Sequence, residues 1–110
     1  MGTSNLAPST PADYVKLFDA LSHPMRIKIV GKLLEKRRYV SELAKLVNIS
    51  RPLLYMHLKK LEDAGLVSGS YEISSMGKSM RYFKLNAFDI SINPGVLAAL
   101  AAEIPDGKLE

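Results

Sequence analysis

Apolar residues recur every three or four positions along most of this chain and give way to alternation only between positions 66 and 85. Tyr14, Leu17, Phe18 and Leu21 share one face of a helix predicted over 12–21. Ser22 is expected to cap a second helix, with Pro24 in its first turn. That helix runs to about Lys36 and is expected to bury Ile27, Val30, Leu33 and Leu34. Lys36, Arg37 and Arg38 suit its negative end, and Tyr39-Val40 reads as a short strand. Ser41 is expected to cap a third helix that turns Leu43, Ala44 and Val47 inward. Asn48 ends it, being at ease in the left-handed conformation of a tight turn, and Ile49 plugs the corner. Ser50 caps a fourth helix with Pro52 in its first turn, and Gly65 stops it.

After Leu66 the period changes. Val67, Tyr71 and Ile73 lead into Ser75-Met76-Gly77-Lys78, and Met80, Tyr82, Phe83 and Leu85 lead out, which predicts a β-hairpin with a glycine at its tip. Asn93-Pro94 opens a fifth helix that Pro105 stops. Residues 12–104 form one domain, with a loose end at 1–11 and a tail at 105–110.

The third and fourth helices form a helix-turn-helix. Leu43, Val47, Ile49 and Leu54 are apolar where two steeply crossed helices must share a small core, and Ala44 is small where the next helix crosses it. A generic helical hairpin needs neither the short turn around Asn48 nor a hairpin after Gly65. The fold class is therefore mainly α with a small β-hairpin: four helices, the hairpin and a fifth helix, in winged helix-turn-helix order.

Charge sharpens this picture. Residues 22–85 hold thirteen Lys or Arg against five Asp or Glu, a net of +8, whereas 1–21 carry −1 and 86–110 carry −3. A basic centre between acidic ends attracts a polyanion to the middle and leaves the ends for another task. Solvated helix faces are the plainer account of the same charges. Without cysteine there is no disulfide or thiolate metal site, and no apolar run reaches the roughly 18 residues of a membrane span. With no signal-peptide pattern either, a cytoplasmic protein without membrane partners is expected.

On the fourth helix Leu54, Leu58 and Leu61 are spaced for the core. Arg51, Pro52, Leu53, Tyr55, Met56 and Lys59 then project outward, chiefly from the N-terminal half that reads bases in such motifs. With the cap Ser50 they are candidate DNA contacts, Arg51 and Tyr55 foremost. Leu53, Tyr55 and Met56 suit thymine methyls or, alternatively, a protein partner. Lys59, Lys60, Lys78 and Arg81 suit phosphate contacts that orient without specifying, or are solvated charges. His57 is either a packed, hydrogen-bonded residue or a phosphate contact, and His23 is a local structural residue. No catalytic set is found: there is no Cys or glycine-rich phosphate loop, the two His lie far apart in sequence, and Glu62-Asp63 diverge. An enzyme is not expected.

With LFDALSHPMRIKIVGKLL, VSELAKLVNISRPLLYMHLKKLEDAGLV and GKSMRYFKL in view, the chain resembles the ArsR family of winged helix-turn-helix regulators over roughly residues 15 to 86. The resemblance implies a homodimeric transcriptional regulator, with a recognition helix at 50–64 and a wing at 67–85. It also implies a dimer built from the terminal helices, here 12–21 and 94–104. The residues agree: the last helix is apolar around most of its circumference, more than a 110-residue monomer readily buries, although packing on its own domain is the alternative. Tyr14, Leu17, Phe18, Leu21, Val96, Leu97, Leu100 and Ile104 are the expected interface.

The chain departs from metal-sensing members. Their thiolate pair would fall at Tyr39 to Ser41, and Glu103 and Asp106 lack the histidine of their last-helix site, so no metal and no cofactor is expected. Positions often Ser and Arg in the family are Tyr55 and Met56 here, so no operator sequence carries over. The expected function is sequence-specific binding of a pseudo-palindromic DNA operator, repressing by promoter occupancy, with an unidentified small-molecule effector left open. The alternative is a winged-helix module that docks protein without specific DNA binding.

Overall fold

A computed structural model of the chain describes residues 7–107. The elements run α1 (Pro11–Leu21), α2 (Pro24–Glu35), β1 (Arg38–Tyr39), α3 (Val40–Val47), α4 (Arg51–Asp63), β2 (Val67–Ile73), β3 (Ser79–Leu85) and α5 (Pro94–Glu103). This is the winged helix-turn-helix order, and the differences from expectation lie in caps and helix phase.

Thr10 and Asp13 form a capping box: Asp13 N–H donates to Thr10 Oγ1 at 3.1 Å, and Thr10 N–H donates to Asp13 Oδ2 at 3.3 Å. Backbone donors from Ser9 and Thr10 hold the Asp13 carboxyl below its ordinary pKa. Residues 9–11, expected as part of a loose end, are thereby tied to α1. Residues 1–6 of that end and 108–110 of the expected tail lie outside the described residues. Ser22 is not the cap of α2, because its backbone is still helical and its Oγ donates back to the Asp19 carbonyl at 2.8 Å. The extended residue is His23, whose Nδ1 accepts the Met25 N–H at 3.0 Å. Ser41 likewise lies inside α3, which starts directly after β1 with Tyr39 as a cap lacking a side-chain bond.

On α2 the inward face carries Arg26, Ile29 and Leu33, while Ile27 is 59% and Leu34 73% exposed. The expected burial of Ile27 and Leu34 is thus corrected: the helix is rotated so that Arg26 and Ile29 face the core instead. The Arg26 guanidinium fits inside because Nε donates to the Ala20 carbonyl at 2.8 Å and Nη2 to that of Asp19 at 3.3 Å, answering the open carbonyls at the end of α1. Arg38 is buried on similar terms: it donates to the Lys32 carbonyl at 3.2 Å and pairs with Glu35 and Glu42. That fulfils the expected role of a cation at the end of α2.

The turn follows the expected chemistry. Asn48 has φ 55°, and the Ile49 and Asn48 N–H groups donate to the carbonyls of Ala44 (3.1 Å) and Lys45 (3.2 Å). Ser50 Oγ accepts the Leu53 N–H at 3.3 Å and starts α4. At its other end Gly65, φ 78°, closes a Schellman turn: Leu66 N–H donates to the Leu61 carbonyl and Gly65 N–H to that of Glu62, both at 2.9 Å.

β2 and β3 form the expected hairpin, and β1 joins it in an antiparallel sheet of order β1-β3-β2, with Arg38 opposite Phe83 and Tyr39 opposite Tyr82. Asn86 fixes the hairpin to the end of α4: its Nδ2 donates to the Gly65 carbonyl and its Oδ1 accepts from Ser68, both at 2.9 Å. Leu17, Ile29, Leu43, Leu54, Leu58, Leu61, Leu66 and Phe83 fill the single core beneath these elements. Asn93 caps α5 by accepting the Val96 N–H at 2.9 Å, and Leu100 is the buried residue of that helix.

Candidate nucleic-acid interface

Burial of Leu54, Leu58 and Leu61 fixes the rotation of α4 and turns Arg51, Pro52, Leu53, Tyr55, Met56 and Lys59 to solvent. His57 is corrected: it is 3% exposed and faces inward, so it is withdrawn from the candidate DNA contacts. Its Nδ1 lies 3.3 Å from Arg26 Nη1, and its ring lies 4.7 Å from that of His23. A guanidinium only donates, so His57 Nδ1 accepts and Nε2 carries the hydrogen. Burial, then His23, then Arg26 push the His57 pKa below its ordinary value. The two histidines, far apart in sequence, thus share one site where α2 meets α4.

The wing stands beside the outward face of α4. A cavity of about 230 Å³ opens between them, lined by Arg51 and Tyr55 of α4, Tyr71, Lys78 and Arg81 of the hairpin, and the start of α3. Among the described residues no Asp or Glu lines it. Four expected contacts from two separate elements therefore share one cationic cleft. Gly77, φ 77°, shapes the hairpin tip, where Gly77 N–H donates to the Ser74 carbonyl at 2.9 Å and Met76 stands 92% exposed. Lys59 and Lys60 lie outside that cleft and are spoken for by acids: Lys59 pairs with Asp63 and Lys60 with Asp19, each at 3.0 Å. Leu53 and Met56 of α4 are exposed but do not line the cleft.

The sequence reading missed several residues that build this face. Gly69 sits opposite Phe83, and a Cβ there would come within 2.8 Å of the Phe83 ring and 3.2 Å of Arg81 Nη2. A glycine inside a strand was the available signal. On the other face of the hairpin, Arg37 lies 4.2 Å from the Tyr82 ring centroid and pairs with Glu72 at 3.1 Å. Tyr39 donates its hydroxyl to Glu72, which lowers the carboxyl's pKa and raises that of the phenol. These bonds brace the wing against the end of α2.

The residues expected at a dimer interface divide. Leu17 belongs to the core of its own domain, and Leu100 is buried within the protomer. Both are spent internally, because α1 packs on α2 and α4 and α5 touches α1. Phe18, Leu97 and Ile104 are exposed, and Tyr14, Leu21 and Val96 are half-buried. Val15 was missed and is 59% exposed on α1. Among the described residues no three of His, Cys, Asp and Glu gather as a metal set, and no helix is long and apolar enough to cross a membrane.

Known proteins match this arrangement. A family model described as "Bacterial regulatory protein, arsR family" matches residues 23–68. The chain is 38% identical over 88 residues to an uncharacterised HTH-type transcriptional regulator of Methanocaldococcus jannaschii, covering 80% of this chain and 92% of the relative. It is 44% identical over 54 residues to the HTH-type transcriptional repressor SmtB of Mycobacterium tuberculosis, covering 49% of this chain and 40% of that one. Among solved structures, reduced HlyU from Vibrio cholerae superposes with a TM-score of 0.59 at 25% identity, covering 83% and 84% of the two chains. An ArsR family transcriptional regulator, RHA00566, gives 0.58 at 24%, covering 82% and 86%. With a basic helix and wing on one face and these relatives across most of its length, the chain belongs to the ArsR family of DNA-binding, winged helix-turn-helix transcriptional regulators.

Proposed function

We propose that this regulator is a homodimeric repressor that binds a specific, pseudo-palindromic duplex operator in the cytoplasm. The observation that carries the reading is the acid-free cleft in which Arg51 and Tyr55 stand beside Lys78 and Arg81. The N-terminal half of α4 enters the major groove with Arg51 and Tyr55 at base edges, and Lys78 at the tip of the wing holds the backbone. The exposed apolar residues of α1 and α5 meet their copies across a two-fold axis. That sets the two recognition helices about 34 Å apart, one turn of duplex. Promoter occupancy then represses.

Selection of duplexes from a random pool at physiological salt tests this reading. An enriched site with two-fold symmetry, bound with a steep loss of affinity as salt rises, supports it. The double variant Arg51→Ala/Tyr55→Ala should lose specific binding at least a hundredfold, on the order of 1–3 kcal/mol for each base contact. Unaltered binding by that variant refutes the recognition-helix assignment. Exposed Leu53 and Met56 favour the rival reading of a protein-docking module, and absence of any enriched duplex would favour it too.

A further inference from the structure

Arg81 was grouped above with the cations that touch phosphate, but its surroundings are unlike those of a phosphate ligand. It stands opposite Tyr71 in the hairpin, on the same face as Gly69 and Phe83. Its Cζ lies 4.8 Å from the centroid of the Phe83 ring and 5.5 Å from those of both Tyr71 and Tyr55. Tyr71 and Phe83 belong to the wing and Tyr55 to α4, so the guanidinium bridges the two elements that share the cleft. Its Nε is buried without a hydrogen-bond partner. Such an atom is costly to bury, and the three π faces are what offset the loss of water. Gly69 completes the cage, since any side chain there would push against Phe83 and Arg81 Nη2.

We propose that Arg81 is a positioning residue for DNA reading: held by Phe83 and Tyr71, it fixes the Tyr55 ring and the spacing between wing and recognition helix. Helix and wing then dock on duplex DNA as one preorganised unit, and little ordering is left to be done at binding. The inference rests on α4 being the recognition helix. Planarity matters here as much as charge, because a guanidinium stacks on rings where an ammonium is a compact, strongly hydrated point charge.

The test compares full-length wild type with Arg81→Lys, Tyr55→Phe, Tyr55→Leu and the double variant Arg81→Lys/Tyr55→Leu. Each is titrated with the duplex selected by the wild type and with a scrambled duplex of equal length. Arg81→Lys, which keeps the charge, should lose at least tenfold on the selected duplex and change less than twofold on the scrambled one. Tyr55→Phe, which keeps the ring, should retain the cage, read without DNA as an upfield-shifted Arg81 Nε–H proton resonance. Tyr55→Leu, which leaves the Phe83 and Tyr71 rings in place, should reduce that shift, and adding Arg81→Lys to it should cost less than twofold more specific affinity. A lysine variant that binds the selected duplex like wild type, strictly multiplicative losses in the double variant, or an unshifted Nε–H in the wild type overturns the proposal. If the wild type enriches no duplex at all, the recognition-helix reading fails and takes this one with it; every other negative result condemns Arg81 alone.

Discussion

α3 and α5 are both short and apolar, yet one is consumed by its own domain and the other is left open. In α3, Val40, Leu43, Ala44 and Val47 fall on one stripe and all four are buried. In α5 the apolar residues run around the whole helix, and Leu100 is buried while Leu97, four alanines and the C-cap Ile104 face out. A stripe can be satisfied by one neighbouring surface, whereas an apolar cylinder needs two. The outline of the protomer agrees, at 59 × 41 × 19 Å with a radius of gyration of 16.9 Å, against about 13 Å for a compact chain near this length. Apolar content therefore says how much surface seeks cover, and periodicity says whether the protomer can supply it.

The largest effect should come from the consumed side. Leu43→Ala leaves a cavity at a fully buried site and should cost about 2–5 kcal/mol. Its melting temperature should fall by roughly 10 °C or more, equally in dilute and concentrated protein. Leu97→Glu is its counterpart on α5. Its midpoint in the dilute limit should match wild type, but, with the dimer proposed above, sedimentation should give half the wild-type mass, and the rise of midpoint with concentration should vanish. A Leu97→Glu protein that still sediments as a dimer would break the contrast between the two helices.

A smaller effect probes the seam between the two regions. His57 of α4 faces Arg26 and His23 of α2; Arg26 in turn holds the carbonyls at the end of α1, and Asp19 of α1 pairs with Lys60 of α4. Proton uptake at His57 Nδ1 would remove the acceptor for Arg26 and set two cations side by side. Burial holds the folded-state pKa of His57 below the ordinary 6.5, so below that pH the unfolded chain binds more protons than the folded one. Stability is thus fully present above about pH 6.5 and falls as pH drops towards the depressed folded-state value. Thermal melts from pH 7.5 to 5 should show the decline, and His57→Gln, which keeps an acceptor for Arg26 but cannot titrate, should flatten it. An equal slope in that variant would remove His57 from the seam.

Much of this molecule was legible in its sequence because local chemistry decided it. Asn48, Gly65 and Gly77 each take a positive φ, and Ser50 and Asn93 cap as their types prescribe. What escaped depended on partners far along the chain. A buried arginine is not visible from its own helix, and only the end of α1 and His57 make Arg26 a core residue. Ser22 and Ser41 have the right chemistry for caps, but the neighbouring backbone placed the helix starts elsewhere. Of the candidate DNA contacts, Arg51, Tyr55, Lys78 and Arg81 were each visible as residues. Their sharing of one cleft was not, because the approach of the wing to α4 is set by Gly69, Phe83 and Asn86.

The finest version of the contrast uses two caps. Ser50→Ala and Asn93→Ala each remove one side-chain acceptor from a helix start, intrinsically about 1 kcal/mol. α4 is anchored by Leu54, Leu58 and Leu61, so frayed or not it unfolds with the body. Ser50→Ala should lower global stability by that amount at every protein concentration. α5 has only Leu100 to hold it in the protomer, and a ten-residue helix is marginal by itself. The lost cap should therefore appear as a smaller fraction of dimer-ready α5. With two such helices per dimer, the dissociation constant should rise by about five- to thirtyfold while the dilute-limit midpoint stays put. A concentration-independent loss in Asn93→Ala equal to that of Ser50→Ala would place α5 in the same cooperative unit as α3. The open helix would then be as much a part of the body as the buried one.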